Sequence, residues 1–239
     1  MRYNITQGSY ILFITATIFF SSANYSFAQN VQDSLHVIKN TDDLQQTIKT
    51  DPNKQMIDVQ KLIPNIALDL RYATENNFMH RVMYPEIPDF TFLRLPAAKA
   101  LLQVQKELSK KGLGLKIFDA YRPYFVTEKF WELVHDERYV ANPKKGSGHN
   151  RGIAVDLTII DLKTKKELKM PTGFDNFTDS AHHDFANLPN EILTNRKLLK
   201  ETMKKYGFVE FPTEWWHYSL PNPEKYEVLN LSFAELEKQ

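Results

Sequence analysis

The stretch "GSGHNRGIAVDLTI", residues 146–159, joins a glycine-rich turn to a run of branched apolar residues. Three of the chain's eight glycines surround His149, and glycine lets a backbone bend tightly and come close to its neighbours. The run "IAVDLTII" (153–160) has the β-branched content of a strand bound for a core. Asp156 stands in its middle. A buried carboxylate is costly unless a cation meets its charge. Either a metal ion or an arginine faces it, or the strand lies at an edge with that face in solvent. Alternation puts Ala154, Asp156 and Thr158 on one face and Ile153, Val155, Leu157 and Ile159 on the other.

On the N-terminal side of this stretch, "IALDLRYAT" (66–74) alternates as a half-buried strand does. The loop-like, aromatic "ENNFMHRVMYPEIPDF" (75–90) follows. From Pro96, "AAKALLQVQKELSKKG" has helical spacing and a stop at Gly112. "LKIFDA" (115–120) reads as a buried strand ended by "YRP", because Pro123 disfavours helix at Arg122. "VTEKFWELVHDERY" (126–139) is a second amphipathic helix. On the C-terminal side, "TKKEL" (164–168) suits the return of a hairpin, and residues 188–207 a third helix capped by Asn190 and stopped by Gly207. "FVEF" and "WWHYSL" read as short strands, and "SFAE" (232–235) as a capping box opening a terminal helix. The mixture predicts an α+β fold: an antiparallel sheet covered by helices.

Arg2 is the only charge in residues 1–28, which contain the apolar run "YILFITATIFF" (10–20) and small residues Ser26 and Ala28 before Gln29. That pattern predicts a secretory signal peptide over 1–28, with an uncleaved anchor as the alternative. After cleavage no stable membrane span is expected, since the apolar run falls short of about 20 residues. Export to the periplasm or the exterior follows. Residues 29–55 are polar and read as a flexible leader, leaving one domain over 56–239. Without Arg2 the charges balance at 29 basic and 29 acidic, which gives no reason to expect nucleic acid as a partner. The chain has no cysteine, so any metal must be held by His, Asp or Glu.

Of seven histidines, His36 and His135 sit in the leader and on a helix, and His182 and His183 read as structural. His217 belongs to "EFPTEWWHYSL", three residues after Glu214. His149, Asp156 and His217 together make a nitrogen and oxygen set that suits a catalytic zinc with its fourth position open to water. Glu214 is the natural group to take a proton from that water and pass it to a leaving amine. Arg122 is placed to stabilise a developing oxyanion, or to form a structural ion pair with Asp119.

"SGHNRGIAVD" fits the pattern S-x-H-x-x-G-x-A-x-D, and "EWWH" fits E-x-W-H. With "DLRYATENNF" (69–78), "DAYRP" (119–123) and "GFDNF" (173–177), the chain resembles the zinc D-alanyl-D-alanine dipeptidases of the VanX type, within the wider zinc D,D-peptidases. The resemblance spans roughly residues 56–220. It implies a hedgehog/DD-peptidase-like fold and one zinc per chain held by His149, Asp156 and His217. It also implies Glu214 as catalytic base and acid, and Arg122 as the group that stabilises the transition state. Tyr72, Ser147 and Asp175 would help hold the free amino end of a dipeptide substrate. The implied reaction is hydrolysis of D-Ala-D-Ala to two D-alanines, in cell-wall dipeptide turnover or salvage. The alternatives are a D,D- or L,D-carboxypeptidase trimming wall peptides, or a non-catalytic metal- or wall-binding module. Dipeptidase and carboxypeptidase differ in whether the cleft closes beyond the substrate's amino end, and the sequence leaves the position of residues 75–90 open.

Overall fold

The structure, a computed structural model, describes Met1, residues 35–86 and residues 88–238. Residues 2–28 of the expected signal peptide and 29–34 of the expected leader lie outside the described residues. In chain order the elements are β1 (Val37–Ile38), α1 (Thr41–Thr50), β2 (Met56–Asp58), α2 (Val59–Leu62), β3 (Ala67–Leu68), β4 (Phe92–Arg94), α3 (Leu95–Ser109), β5 (Leu113–Asp119), α4 (Tyr124–Leu133), β6 (Ala154–Asp161), α5 (Asn190–Lys205), β7 (Val209–Phe211), β8 (Glu214–Ser219), β9 (Val228–Leu229) and α6 (Phe233–Glu237).

The main sheet has five strands in the order β3-β5-β6-β8-β7. β5, β6, β8 and β7 pair antiparallel in turn, as the α+β reading expects. The departure is β3, a short edge strand parallel to β5. Only two residues of the alternating stretch 66–74 enter the ladder, and the chain then tightens into a 3₁₀ turn over Arg71–Ala73. β6 lies between β5 and β8, and every residue from Ala154 to Ile160 is buried. Asp156 is 3% exposed, so the solvated-edge reading of its carboxylate falls. α3 and α5 pack against the sheet and against each other. Tyr218, next to His217 in β8, points away from it and meets the His183 ring at 5.8 Å. The sheet thus has a helix-covered face and a face left for chemistry.

Three boundaries move for local reasons. α4 ends at Leu133, earlier than expected, because the Asp136 carboxylate accepts the Arg138 N–H and offers the backbone an alternative to helix. α5 begins with Asn190 as its first helical residue rather than its cap, which is Pro189. The hairpin return is a single bridge, Ile160 to Glu167. The capping box at Ser232 and Glu235 is as expected.

Residues 35–55 correct the leader expectation. β1 pairs in parallel with β9, and α1 is capped by the Asn40 side chain, which accepts the Asp43 N–H. Ile38 and Leu44 are fully buried, with Ile48 packed beside the same core. One narrow apolar stripe on a helix otherwise polar is too sparse to stand out in composition, yet it suffices to dock the helix. Arg94, itself buried, bonds the carbonyl of Lys54 and ties this segment to β4. Among the described residues no helix is long and apolar enough to cross a membrane. Replacing Leu44 by Ala should lower stability by about 2–5 kcal/mol in urea unfolding; a true leader would leave the midpoint unchanged.

Candidate metal centre

The turn that presents His149 is folded by its own backbone. The Gly152 N–H donates to the His149 carbonyl at 3.0 Å, and Ile153 N–H to Gly148 at 3.0 Å. Gly152 has φ +69°, which disfavours any side chain there. A Cβ on Gly148 would lie 2.8 Å from the Ala154 Cβ, so this backbone can approach β6 only without one. Asn150, fully buried, fixes the turn to its surroundings. Its amide donates to the Arg122 carbonyl at 2.8 Å and to Thr127 Oγ1 at 2.9 Å, and its Oδ1 accepts the Ser147 N–H at 3.0 Å. Nothing in the sequence separates this asparagine from one in a solvated turn, since its partners lie on other elements.

His149 Nδ1 donates to the Ala120 carbonyl at 2.7 Å. That bond fixes the tautomer and leaves Nε2 with a bare lone pair. Nε2 lies 3.2 Å from His217 Nδ1 and 3.3 Å from Asp156 Oδ2. His217 Nδ1 lies 2.9 Å from Asp156 Oδ1, for Asp156 and His217 are direct partners in the β6–β8 ladder. One ligand atom from each of the three falls within 4.8 Å of the others. His149 is 2% exposed. Burial works against charge on Asp156, but the two imidazoles hold its pKa well below the usual carboxylate range. Burial also pushes His217 down, toward its neutral form. Three candidate ligand atoms thus converge, two on buried residues and one on the half-buried His217, and a dication satisfies all of them. Two imidazoles and a carboxylate are a donor set that zinc accepts.

Glu214 Oε2 lies 3.8 Å from His217 Nδ1. Residues three apart in a regular strand face opposite ways. Here the β6–β8 pairing stops at His217 and the β7–β8 register shifts at Phe211, so the chain brings Glu214 back to the same side. Burial pushes its carboxyl well above the usual range, with Asp156 and Asp175 adding to the rise and Arg122 opposing it. Arg122 forms the ion pair with Asp119 and also lines the cavity. Its Nε and Nη2 donate to Asp119 Oδ2 at 2.9 and 2.8 Å, and Nη2 also lies 3.8 Å from Asp156 Oδ2. The neighbouring Tyr72 and Phe130 rings, 4.7 Å apart, lie 5.0 and 4.7 Å from the guanidinium. Asp119, fully buried, also accepts the Tyr84 hydroxyl and comes within 3.6 Å of His149 Nδ1. The sequence offers it only as a partner of Arg122; its reach toward His149 appears with the fold.

Asp175 has φ +58°, an uncommon conformation for a residue with a side chain. Its Oδ1 accepts the Tyr72 hydroxyl at 2.9 Å, and its Oδ2 the Phe78 N–H at 3.3 Å. Burial pushes it up to about 7. Ser147 Oγ accepts the Asn150 N–H at 3.0 Å. All eight residues singled out from the sequence line one cavity of about 270 Å³. His182 and His183 do not line it. The loop 75–90 supplies a wall: Phe78 packs edge-on against Phe130 and Phe177, and Phe177 stacks on Tyr139 at 4.9 Å.

The peptidase M15 family model described as D-ala-D-ala dipeptidase matches residues 52–238. A D-alanyl-D-alanine dipeptidase of Escherichia coli (strain K12) is 32% identical over 180 residues, covering 75% of this chain and 92% of that protein. Another, of Streptomyces coelicolor (strain ATCC BAA-471 / A3(2) / M145), is 31% identical over 196 residues, covering 70% and 94%. A solved structure of VanYB in complex with D-Alanine-D-Alanine overlaps 56% of this chain and 74% of that one at 15% identity and TM-score 0.36, too slight a likeness to carry weight.

The purified protein should hold one zinc per chain by elemental analysis. Asp156→Ala and His149→Ala should each lose it on gel filtration, whereas Glu214→Ala should keep it. Equal zinc in all three variants would mean that the metal sits elsewhere.

Proposed function

Since the chain belongs to the D-Ala-D-Ala dipeptidase family of M15 peptidases, we propose that it hydrolyses D-alanyl-D-alanine to two D-alanine molecules as a zinc metallopeptidase. His149, Asp156 and His217 would hold the zinc, which supplies Lewis acidity, acidifying water and polarising a carbonyl. Glu214 takes the proton of the attacking water and returns one to the leaving amine. A buried carboxyl whose pKa is raised suits a group that must accept and then donate. Arg122, held by Asp119 and packed against the Tyr72 and Phe130 rings, is a fixed positive charge for the oxyanion. The Asp175 carboxylate, supported by Tyr72 and with Ser147 in the same cavity, receives the substrate's ammonium.

The observation that favours a dipeptidase over a carboxypeptidase is the closure around Asp175. The Phe78 N–H and the Tyr72 hydroxyl both bond its carboxylate, and Phe78 and Phe177 wall the cavity there. A longer peptide would bring an uncharged amide to a buried carboxylate, with aromatic rings where its next residue must go. A non-catalytic metal- or wall-binding module would need neither Glu214 nor Arg122 in the cavity. The same reading takes residues 1–28 as an export signal and the role as salvage of dipeptide during wall turnover, outside the cytoplasm. N-terminal sequencing of the protein from fractionated cells tests this part; intact Met1 in the cytosol would refute it.

Glu214→Ala should lower kcat by at least about 10²–10⁴ in zinc-loaded enzyme. Wild type should cleave D-Ala-D-Ala and leave N-acetyl-D-Ala-D-Ala and muropeptides intact; alanine released only from muropeptides would identify a carboxypeptidase. In wild type, kcat/KM should fall on the acid side as Asp175, pushed to about 7, takes up its proton. Asp175→Asn, uncharged at every pH, should remove that limb together with most of the affinity. An unchanged acid limb in the variant would assign it to another group.

A further inference from the structure

A dipeptide has two charged ends, and Asp175 answers only the ammonium. The carboxylate needs a cation of its own. Among the described residues, the lysine and arginine side chains lining the cavity are Arg122 and Lys145. Arg122 is committed: two of its nitrogens bond Asp119, which is fully buried. Lys145 is not committed in that way. Its Nζ lies 2.6 Å from Glu137 Oε2, and both side chains are largely exposed, at 69% and 49%. An exposed pair of this kind exchanges partners at little cost.

The backbone of Lys145 is fixed even though its side chain is free to turn. Its N–H donates to the Asn142 carbonyl at 2.9 Å, and its own carbonyl accepts Arg151 Nη2 at 2.9 Å. Gly146, at φ +68°, then leads directly to Ser147. A lysine ammonium, with rotatable donors on a flexible stem, can move from one carboxylate to another without moving the loop.

We propose that Lys145 recognises the α-carboxylate of the substrate, and that Glu137 occupies it while the cavity is empty. The inference rests on the dipeptidase reading and deepens it: Asp175 measures one end of the substrate, Lys145 the other.

The test is steady-state kinetics of zinc-loaded wild type, Lys145→Met, Lys145→Arg and Glu137→Gln on D-Ala-D-Ala and on its C-terminal amide. Wild type should favour the acid over the amide. Lys145→Met should raise KM for the acid by about tenfold or more, as loss of a charge-assisted contact does, with kcat little changed and the amide unaffected. Lys145→Arg should recover most of the loss. Glu137→Gln, which frees the ammonium, should keep or lower KM. An unaltered KM in Lys145→Met overturns the proposal. So does a Glu137→Gln variant that loses as much as Lys145→Met, because the pair would then serve only to hold the loop. A wild type that cleaves neither compound would instead overturn the dipeptidase reading, and this inference with it.

Discussion

A carboxylate in the central strand of a sheet must be met by positive charge, and the architecture around Asp156 answers that requirement. Asp156 is buried in β6, so solvent cannot supply the charge. Two imidazoles are brought to it instead, one by a glycine turn at the strand's mouth and one across the β8 ladder. Arg122 stands at the limit of ion-pair distance and spends its charge mainly on Asp119. The half-filled account at Asp156 is what makes the site a place for a cation rather than a closed salt bridge.

The candidate metal ligands and Glu214 are legible because each lies in a short local pattern. A glycine turn running into a strand with one acid, and a glutamate three before a histidine beside tryptophans, can be seen without the fold. Arg122 was legible because proline fixes the turn it sits on. What could not be read were long-range relations. Asn150 and Asp119 matter through partners on other elements. The closing wall at Phe78 becomes a wall only when Asp175, from a distant loop, accepts its N–H. The strand at 66–74 shortened because an edge position offers only one ladder to join. The docking of segment 35–55 is hidden in the sequence because two buried side chains, Ile38 and Leu44, carry it amid polar neighbours.

The cavity combines rigid and adjustable parts. Around Asp175 and Arg122, hydrogen bonds and rings leave little freedom, which suits groups that must be in place before substrate arrives. At the rim, Glu137 and Lys145 meet in solvent. A small zwitterion entering such a site finds its inner end already arranged and its outer end held by a pair that can reopen. Preorganisation is thereby concentrated where charge is buried, and adaptability where water already screens it.

The pairing of β1 with β9 bears on how the molecule is assembled. Val37 meets Val228 and Ile38 meets Leu229, so the first strand among the described residues finds its sheet partner in the last. During synthesis β1 must wait, unpaired, until nearly the whole chain has emerged. Contacts this distant in sequence close slowly. β1 and β9 therefore form one seam: a truncation or fusion that disturbs either strand acts on the other, and the fold closes only when the two have found each other.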